Sequence, residues 1–237
     1  MEKYTIVVTD LTRFKNEGLL CMAGLTLDGL TCIRPMRSTL PSYLSYQECK
    51  EKTLLPGYVL EGEFSTPQVI DNTHPEDRHF SSMSIVRQCT SAEFQDVLEL
   101  SSFNTFEAGF GIAPVDKRIV GIPIRSIFTL KILPSNFKIV VDKYDSNKIK
   151  GHVTDNDENT ISFLSITDLG FYDFVGNAST RKVSVDEINS FIRTQDTLYL
   201  RMGLSRAFKS PDGRSGLWIQ INGIYTFPNF EHVLRGY

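Results

Sequence analysis

Residues 124–166 read IRSIFTLKILPSNFKIVVDKYDSNKIKGHVTDNDENTISFLSI. The stretch holds four runs rich in β-branched and aromatic residues, and the gaps between them contain Pro, Ser, Asn and Asp, which favour turns. Runs of this length and spacing predict short strands rather than helices. The four predicted strands cover residues 124–133, 137–144, 149–154 and 161–166.

Similar strand patterns flank this stretch on both sides. Asp28-Gly29 joins two apolar runs and predicts a tight hairpin turn. Two amphipathic helices are expected, one capped by Ser91 and one capped by Ser184, where Glu187 completes a capping box. The other predicted strands cover residues 5–9, 19–27, 30–36, 58–64, 83–89, 198–204 and 217–225.

The order of these elements decides the expected fold class. Strands and helices do not alternate, which disfavours a doubly wound parallel sheet. The order predicts a mainly β chain with a few short helices, folded as two small β-barrels packed in tandem, each with an inserted helix. We place the boundary at Pro134, which gives domains 1–134 and 135–237. Trp218, the only tryptophan, is assigned to the core of a strand.

Composition limits the partners that the chain can have. Its 237 residues carry a formal net charge of −3, so a nucleic-acid site would have to be a local patch. Met1-Glu2-Lys3-Tyr4 leads into a strand-like run, no apolar run is long enough for a membrane span, and the four cysteines form no Cys-x-x-Cys pair. We therefore expect a cytoplasmic protein with reduced cysteines, no membrane contact, no cofactor and no structural metal.

Six short motifs occur in an order that resembles a bacterial family, the dual OB-containing domain. The motifs are GLLCMAG at 18–24, CIRP at 32–35, PGYV at 56–59, HPED at 74–77, SITD at 165–168 and LSRAF at 204–208. Cys32 stands where the family usually has Trp, which removes an aromatic ring there. Asp77 stands where it usually has Asn. The resemblance implies two OB-like barrels and a nucleic-acid or ligand-binding role. It also suggests a place beside genes for antiviral defence and nucleic-acid modification.

The polar connection at residues 205–214 is the first candidate site. Together with the strand before it, the connection carries four cations against one acid, and it also carries an aromatic residue. Cations that follow phosphates and rings that stack on bases are what a single-stranded nucleic acid requires. The alternative is a solvated hairpin loop. The candidate residues are Arg201, Arg206, Phe208, Lys209 and Arg214.

A second basic patch is predicted near the N-terminus. Its residues are Arg13, Lys15, Arg34 and Arg37. Arg can bind phosphate or carboxylate with two parallel hydrogen bonds, so Arg34 either contacts a ligand or pairs with a buried carboxylate such as Glu61 or Glu63. If the barrels pack as expected, the two patches face one groove between them.

The hexapeptide at 74–79 is a third candidate. Its two histidines and two carboxylates can hold a metal or perform acid–base chemistry, but the spacing matches no zinc helix motif and Pro75 disfavours a helix. The alternative is a polar loop in which His74 bonds the backbone. The candidate residues are His74, Glu76, Asp77 and His79.

Three functional hypotheses follow. The leading one is a non-catalytic module that binds DNA or RNA in single-stranded form, within a bacterial anti-phage or nucleic-acid-modifying complex. The second is a scaffold subunit that binds a protein partner, which the aromatic content and acidic charge also suit. The third is a metal-assisted enzyme that uses the residues between His74 and His79.

Overall fold

The structure, a computed structural model, describes residues 1–14, 18–146, 148–171, 175 and 183–229. The strands within these ranges are β1 (Glu2–Arg13), β2 (Leu19–Thr26), β3 (Cys32–Met36), β4 (Leu44–Ser45), β5 (Tyr58–Ser65), β6 (Asp77–Gln88), β7 (Ser102–Phe103), β8 (Arg118–Ile119), β9 (Ile127–Ile132), β10 (Phe137–Val141), β11 (Ile149–Thr154), β12 (Thr160–Ile166), β13 (Thr197–Leu204), β14 (Phe208–Lys209) and β15 (Ser215–Phe227). The helices are α1 (Tyr46–Glu51), α2 (Ser91–Leu100), α3 (Phe106–Phe110), α4 (Leu169–Phe171) and α5 (Val185–Arg193), and a 3₁₀ turn covers Pro134–Asn136.

Five strands of the first sheet close into a barrel. β1 pairs with β2 on one side and β5 on the other, and the ring continues through β3 and β6, which pair in parallel. Asp28-Gly29 forms the predicted hairpin between β2 and β3, with Gly29 at φ 71°, a conformation that favours glycine. Closure leaves few open strand edges.

The second sheet repeats this plan with a broken first strand. β10, β11 and β12 form an antiparallel meander, β12 runs parallel to β15, and β15 pairs with β13. β9 pairs with β13 and continues through the 3₁₀ turn at Pro134–Asn136 into β10. The two segments β9 and β10 together occupy the position that β1 holds in the first barrel. The predicted fold class, mainly β with two small OB-like barrels in tandem, is confirmed.

The predicted boundary at residue 134 falls inside this broken strand. Because β7, β8 and β9 all pair with strands of the second sheet, that barrel extends well to the N-terminal side of Pro134. The first sheet ends at Gln88, the last residue of β6. The turn at Pro134 had the composition of a linker, but it is a corner within one barrel.

Helix α2 joins the barrels and covers their shared face. Phe94, Val97 and Leu98 are buried, as their spacing predicts, and they pack with residues of both sheets, including Val7 and Tyr225. The predicted N-cap was wrong by one residue. Thr90, in an extended conformation, accepts a hydrogen bond from the Glu93 N–H, and the Glu93 carboxylate accepts one from Thr90.

The second capping box is confirmed at Ser184 and Glu187. None of the described helices is long and apolar enough to cross a lipid bilayer.

Candidate nucleic-acid interface

Arg201 lies in the middle of β13, and its side chain is fully buried between the barrels. Its Nε donates to Asp10 Oδ2 at 2.8 Å, and its Nη1 donates to Thr129 Oγ1 at 2.9 Å. Asp10 comes from the first sheet and Thr129 from the second, so the guanidinium bridges the barrels. The prediction that Arg201 contacts nucleic acid is wrong, because no solvent-exposed atom remains to do so.

Arg34 and Arg206 share a second set of contacts, in which Arg34 is buried and the Arg206 side chain stays 41% exposed. Parallel pairing of β3 with β6 sets Arg34 opposite Asp77, and their side chains form an ion pair in which both are mostly buried. Arg206 donates to the other oxygen of Asp77 at 3.0 Å and also pairs with Asp71. The partner of Arg34 is therefore Asp77, neither Glu61 nor Glu63.

The two predicted patches do converge here, but on carboxylates that neutralise them. We call these six residues the junction: Arg34, Arg201, Arg206, Asp10, Asp71 and Asp77. Three cations face three carboxylates between the barrels. A direct contact from Arg34 to a polyanion is excluded by its burial, since only 5% of the residue is exposed.

The polar hexapeptide supports the same junction. His74 is buried, with Nδ1 2.9 Å from Thr73 Oγ1 and Nε2 3.3 Å from the Leu204 carbonyl oxygen. Burial lowers the pKa of His74 to about 4, and the charges of Arg34 and Arg206 add to this effect. The imidazole is therefore neutral at pH 7.

Glu76 binds the second barrel rather than a ligand. Its carboxylate accepts hydrogen bonds from the Ser126 N–H at 2.7 Å, the Ser126 hydroxyl at 2.6 Å and the Ile127 N–H at 3.2 Å. His79 lies in β6, where it pairs with Met36 of β3. Within the described ranges, no three His, Cys, Asp or Glu side chains are placed to hold a metal. His74, Glu76 and Asp77 instead connect the two sheets.

Two further residues of the N-terminal patch, Arg37 and Arg13, have contacts of their own. Arg37 pairs with Glu48 of α1 at 2.6 Å. The backbone N–H of Arg13 donates to the Thr167 carbonyl oxygen, which links β1 to the second barrel. Lys15 lies outside the described residues.

A different cluster forms on the outer surface of the second barrel, around Trp218. Three cationic groups approach its ring: Arg214 Cζ is 5.4 Å from the ring centroid, Lys117 Nζ is 5.7 Å and Arg118 Cζ is 5.8 Å. Pairing of β8 with β15 sets Arg118 directly opposite Trp218. The quadrupole of an indole ring attracts cations, which accounts for the convergence.

The hairpin of β14 and β15 completes this cluster. The Trp218 indole N–H donates to the Phe208 carbonyl oxygen at 3.2 Å, and Phe208 itself is 56% exposed. Lys209 is exposed, and no carboxylate of the described chain lies within ion-pair distance of it. Asp116 pairs with Arg118, whose side chain is only 12% exposed, and with Arg214, and Asp212 also pairs with Arg214; these two are the acids of the cluster. We call this set the Trp218 face: Lys117, Arg118, Phe208, Lys209, Arg214 and Trp218.

Basic character continues from the Trp218 face across the strands. Lys150 on β11 lies opposite Ser165 on β12, and Ser165 lies opposite Gln220 on β15. Burial lowers the pKa of Lys150, Asp142 opposes this shift, and the charges of Lys117 and Lys148 reinforce it. Lys117 and Lys148 are therefore near enough to Lys150 to act on its charge.

The Trp218 face combines cations, which bind phosphate oxygens, with aromatic rings, which stack on bases. Phe208, Lys209 and Arg214 were among the predicted contacts, whereas Lys117, Arg118 and Trp218 were missed. The core assignment of Trp218 was wrong, since its ring is only partly buried. The strand's alternation carried the signal: Leu217, Ile219 and Ile221 face inward, so Trp218 and Gln220 face outward.

No protein-family model and no curated protein matches the chain. Two solved structures align over most of its length. One is a murine DNA-binding protein bound to double-stranded DNA, which is 11% identical, with coverage of 95% of this chain and 97% of that one and a TM-score of 0.35. The other is the Ifi202 HINa domain in complex with 20-base-pair double-stranded DNA, which is 8% identical, with coverage of 94% and 96% and a TM-score of 0.36. At these scores the likeness assigns no function to this chain.

Proposed function

We propose that the protein is a non-catalytic nucleic-acid-binding module and that the Trp218 face is its binding surface. The observation that carries the proposal is the convergence of Lys117, Arg118 and Arg214 on one surface indole ring. An isolated surface cation explains little, but three around an aromatic ring bring both kinds of group that a nucleic acid requires into one place.

Local charge supports the proposal despite the acidic chain. The four cations of the Trp218 face exceed its two neighbouring carboxylates, Asp116 and Asp212, whereas the whole chain has a net charge of −3. Lys209 has no carboxylate partner in the described chain, and Lys117 contacts the Trp218 ring. Both are available to phosphates without breaking an ion pair.

The rings favour a single strand. Stacking on Trp218 or Phe208 requires a base whose face is free, and bases of a duplex are already stacked. The binding of single-stranded DNA or RNA is therefore the expected activity. The expected affinity falls with salt, because each phosphate contact releases counterions.

Trp218 makes this proposal directly measurable. It is the only tryptophan, so its fluorescence reports on the face without a label. We expect single-stranded oligonucleotides to quench it at 50 mM salt, with weaker binding at 200 mM. A matched duplex should bind more weakly. Unchanged fluorescence and no binding by any oligonucleotide at low salt would overturn the proposal and favour a protein-binding scaffold.

A pair of double variants separates the face from net charge. Replacing Lys117 and Lys209 with Ala should lower affinity and reduce the slope of log affinity against log salt by about 1.4, since each single-strand phosphate contact contributes about 0.7. The control replaces Lys3 and Lys50 with Ala. Lys3 pairs with Glu61, and Lys50 lies 5.9 Å from the Tyr46 ring, so the control removes equal charge and one cation–π contact from the first barrel. Equal effects in both would count against the face.

A further inference from the structure

A strained aromatic residue lies beside the Trp218 face. Phe163 has φ 60° in the interior of β12, a conformation that is an outlier for a bulky residue. The register between β11 and β12 explains the origin of this conformation. Gly151 pairs with Leu164 and Val153 with Ile161, so His152 alone lies opposite both Ser162 and Phe163. This is a β-bulge, and its left-handed position is usually filled by glycine.

Burial of the Phe163 ring in the core does not offset this backbone strain. It is 49% exposed, whereas its neighbours Ile161 and Leu164 are buried. Its ring contact is His152, with centroids 4.6 Å apart in an edge-to-face arrangement. The Nδ1 atom of His152 is in turn 3.0 Å from Ser162 Oγ, which fixes the imidazole. Backbone strain combined with an exposed, held ring is the pattern of a ligand contact.

Register places this pair in line with Trp218. Phe163 and Trp218 each stand two residues before the paired residues Ser165 and Gln220, on neighbouring parallel strands. Since side chains two apart share a face, both rings belong to the outer face of the barrel. On the other side, His152 lies opposite Lys138 of β10. On the β12 side of Trp218 the neighbouring strand is β8, since the Ile219 N–H donates to the Lys117 carbonyl oxygen, so Arg118 lies between Trp218 and β12. One row therefore crosses the outer face from Trp218 through Arg118, Phe163 and His152 to Lys138.

We propose that Phe163, held by His152, is a second base-stacking position, and that a single strand crosses the barrel along this row between Trp218 and Lys138. The inference rests on the proposed function and adds the path of the strand and its class, unpaired bases. Because β8 lies between them, the two rings are more than one strand spacing of about 4.8 Å apart, so they take bases that are not adjacent in one oligonucleotide. Lys138, at the end of the row, is exposed and can contact its phosphates, whereas Lys150 beside the row pairs with Asp142 at 3.7 Å.

The variant Phe163→Gly tests stacking without a folding defect, because glycine adopts the same φ and only the ring is lost. Anisotropy of a labelled eight-nucleotide single strand should show affinity reduced at least about fivefold, the lower bound for one base–aromatic stack. At saturation the Trp218 quench should persist, since that ring is intact. The control is Thr53→Gly, which relaxes a similar conformation, φ 52°, in the first barrel and should bind like the unmodified protein.

The outcomes separate the two proposals. If the unmodified protein binds and quenches Trp218 but Phe163→Gly binds within twofold of it, the second stacking position is wrong and the Trp218 face stands. The path along the row fails with the stacking position in that case, and the same holds if Phe163→Gly is weakened no more than Thr53→Gly. If the unmodified protein binds no single strand, both proposals fail together.

Discussion

The junction and the Trp218 face both contain arginine side chains, which have opposite roles in the two regions. Arg206 and Arg214 are eight residues apart in one connection, and both were predicted to bind nucleic acid. Arg206 pairs with Asp71 and Asp77 of the first barrel, while Arg214 lies over Trp218, although the two side chains are about equally exposed, at 41% and 42%. The difference shows that a cation's role follows from the strand pairing around it, since neighbouring positions in a loop reach different surfaces.

The comparison also explains how an acidic chain can offer a basic surface. In the junction, three arginines pair with three carboxylates, so the junction carries no net charge. The Trp218 face has fewer acids than cations, and the excess is displayed to solvent. Substitutions in the two regions should therefore have different effects: those at the junction should lower stability, and those at the Trp218 face should weaken binding.

The largest effect is expected from Arg201→Met. The substitution removes the guanidinium and leaves Asp10 buried without its ion-pair partner, and Asp10 Oδ1 already lacks a hydrogen bond within the described structure. Removing one partner of a buried pair costs about 3–5 kcal/mol. We expect the free energy of unfolding, measured by urea titration, to fall by that amount.

A double variant distinguishes the effect of the unpaired, buried Asp10 carboxylate from a simple loss of packing. Asp10→Asn combined with Arg201→Met removes both charges and should recover a large part of the lost stability. A loss below 1 kcal/mol in Arg201→Met, or no recovery in the double variant, would mean that the junction does not hold the barrels together electrostatically.

The next effect is acid sensitivity through His74. Its folded pKa of about 4 lies below the unfolded value of about 6.5, so the unfolded chain takes up the proton first as the pH falls. Stability should therefore decrease from pH 6.5 towards 4, by about 2 kcal/mol between pH 7.5 and 5. In His74→Gln this part of the pH dependence should disappear. The check is urea unfolding at both pH values, and an identical pH dependence in the variant would contradict the assignment.

Most of the barrel could be predicted from the sequence because the signal is local. The strands at 149–154 and 161–166 are bounded by turn residues, and both were placed at or within one residue of their ends. Asp28-Gly29 likewise fixes a turn by its own backbone preference. The domain boundary predicted at Pro134 falls inside the second barrel, because a corner in a strand and a linker have the same composition. Only the pairing of β9 with β13 distinguishes them.

The site depended on contacts between distant residues. Arg34 and Asp77 are 43 residues apart in the sequence, and Arg201 and Asp10 are 191 residues apart. No local sequence pattern therefore indicated that these carboxylates would neutralise the two arginines. The outward position of Trp218 was readable from the alternation in β15, whereas its approach to Lys117 and Arg118 required the pairing of β8 with β15.

A third prediction sets Arg206→Ala against Arg214→Ala. Arg206→Ala should lower the free energy of unfolding by about 1.5 kcal/mol, because the mostly buried Asp77 loses a charged hydrogen bond. It should leave oligonucleotide affinity unchanged. Arg214→Ala should lower stability less than Arg206→Ala does, since its ion pairs are exposed, but weaken oligonucleotide binding several-fold. Urea unfolding and anisotropy on both proteins give the four values, and equal binding losses would erase the distinction between the two regions.

The smallest effect has the opposite sign and concerns the row that extends the Trp218 face. Phe163→Gly should raise the free energy of unfolding by about 0.5 kcal/mol, because relief of about 1–2 kcal/mol of left-handed strain exceeds the entropy cost of glycine, about 0.5–1 kcal/mol. The shift of the urea midpoint, with an unchanged slope, measures it. A residue that weakens the fold and strengthens binding is retained for binding. If Phe163→Gly is instead less stable, the ring is a packing residue that the second barrel needs, and the strain would have a structural cause.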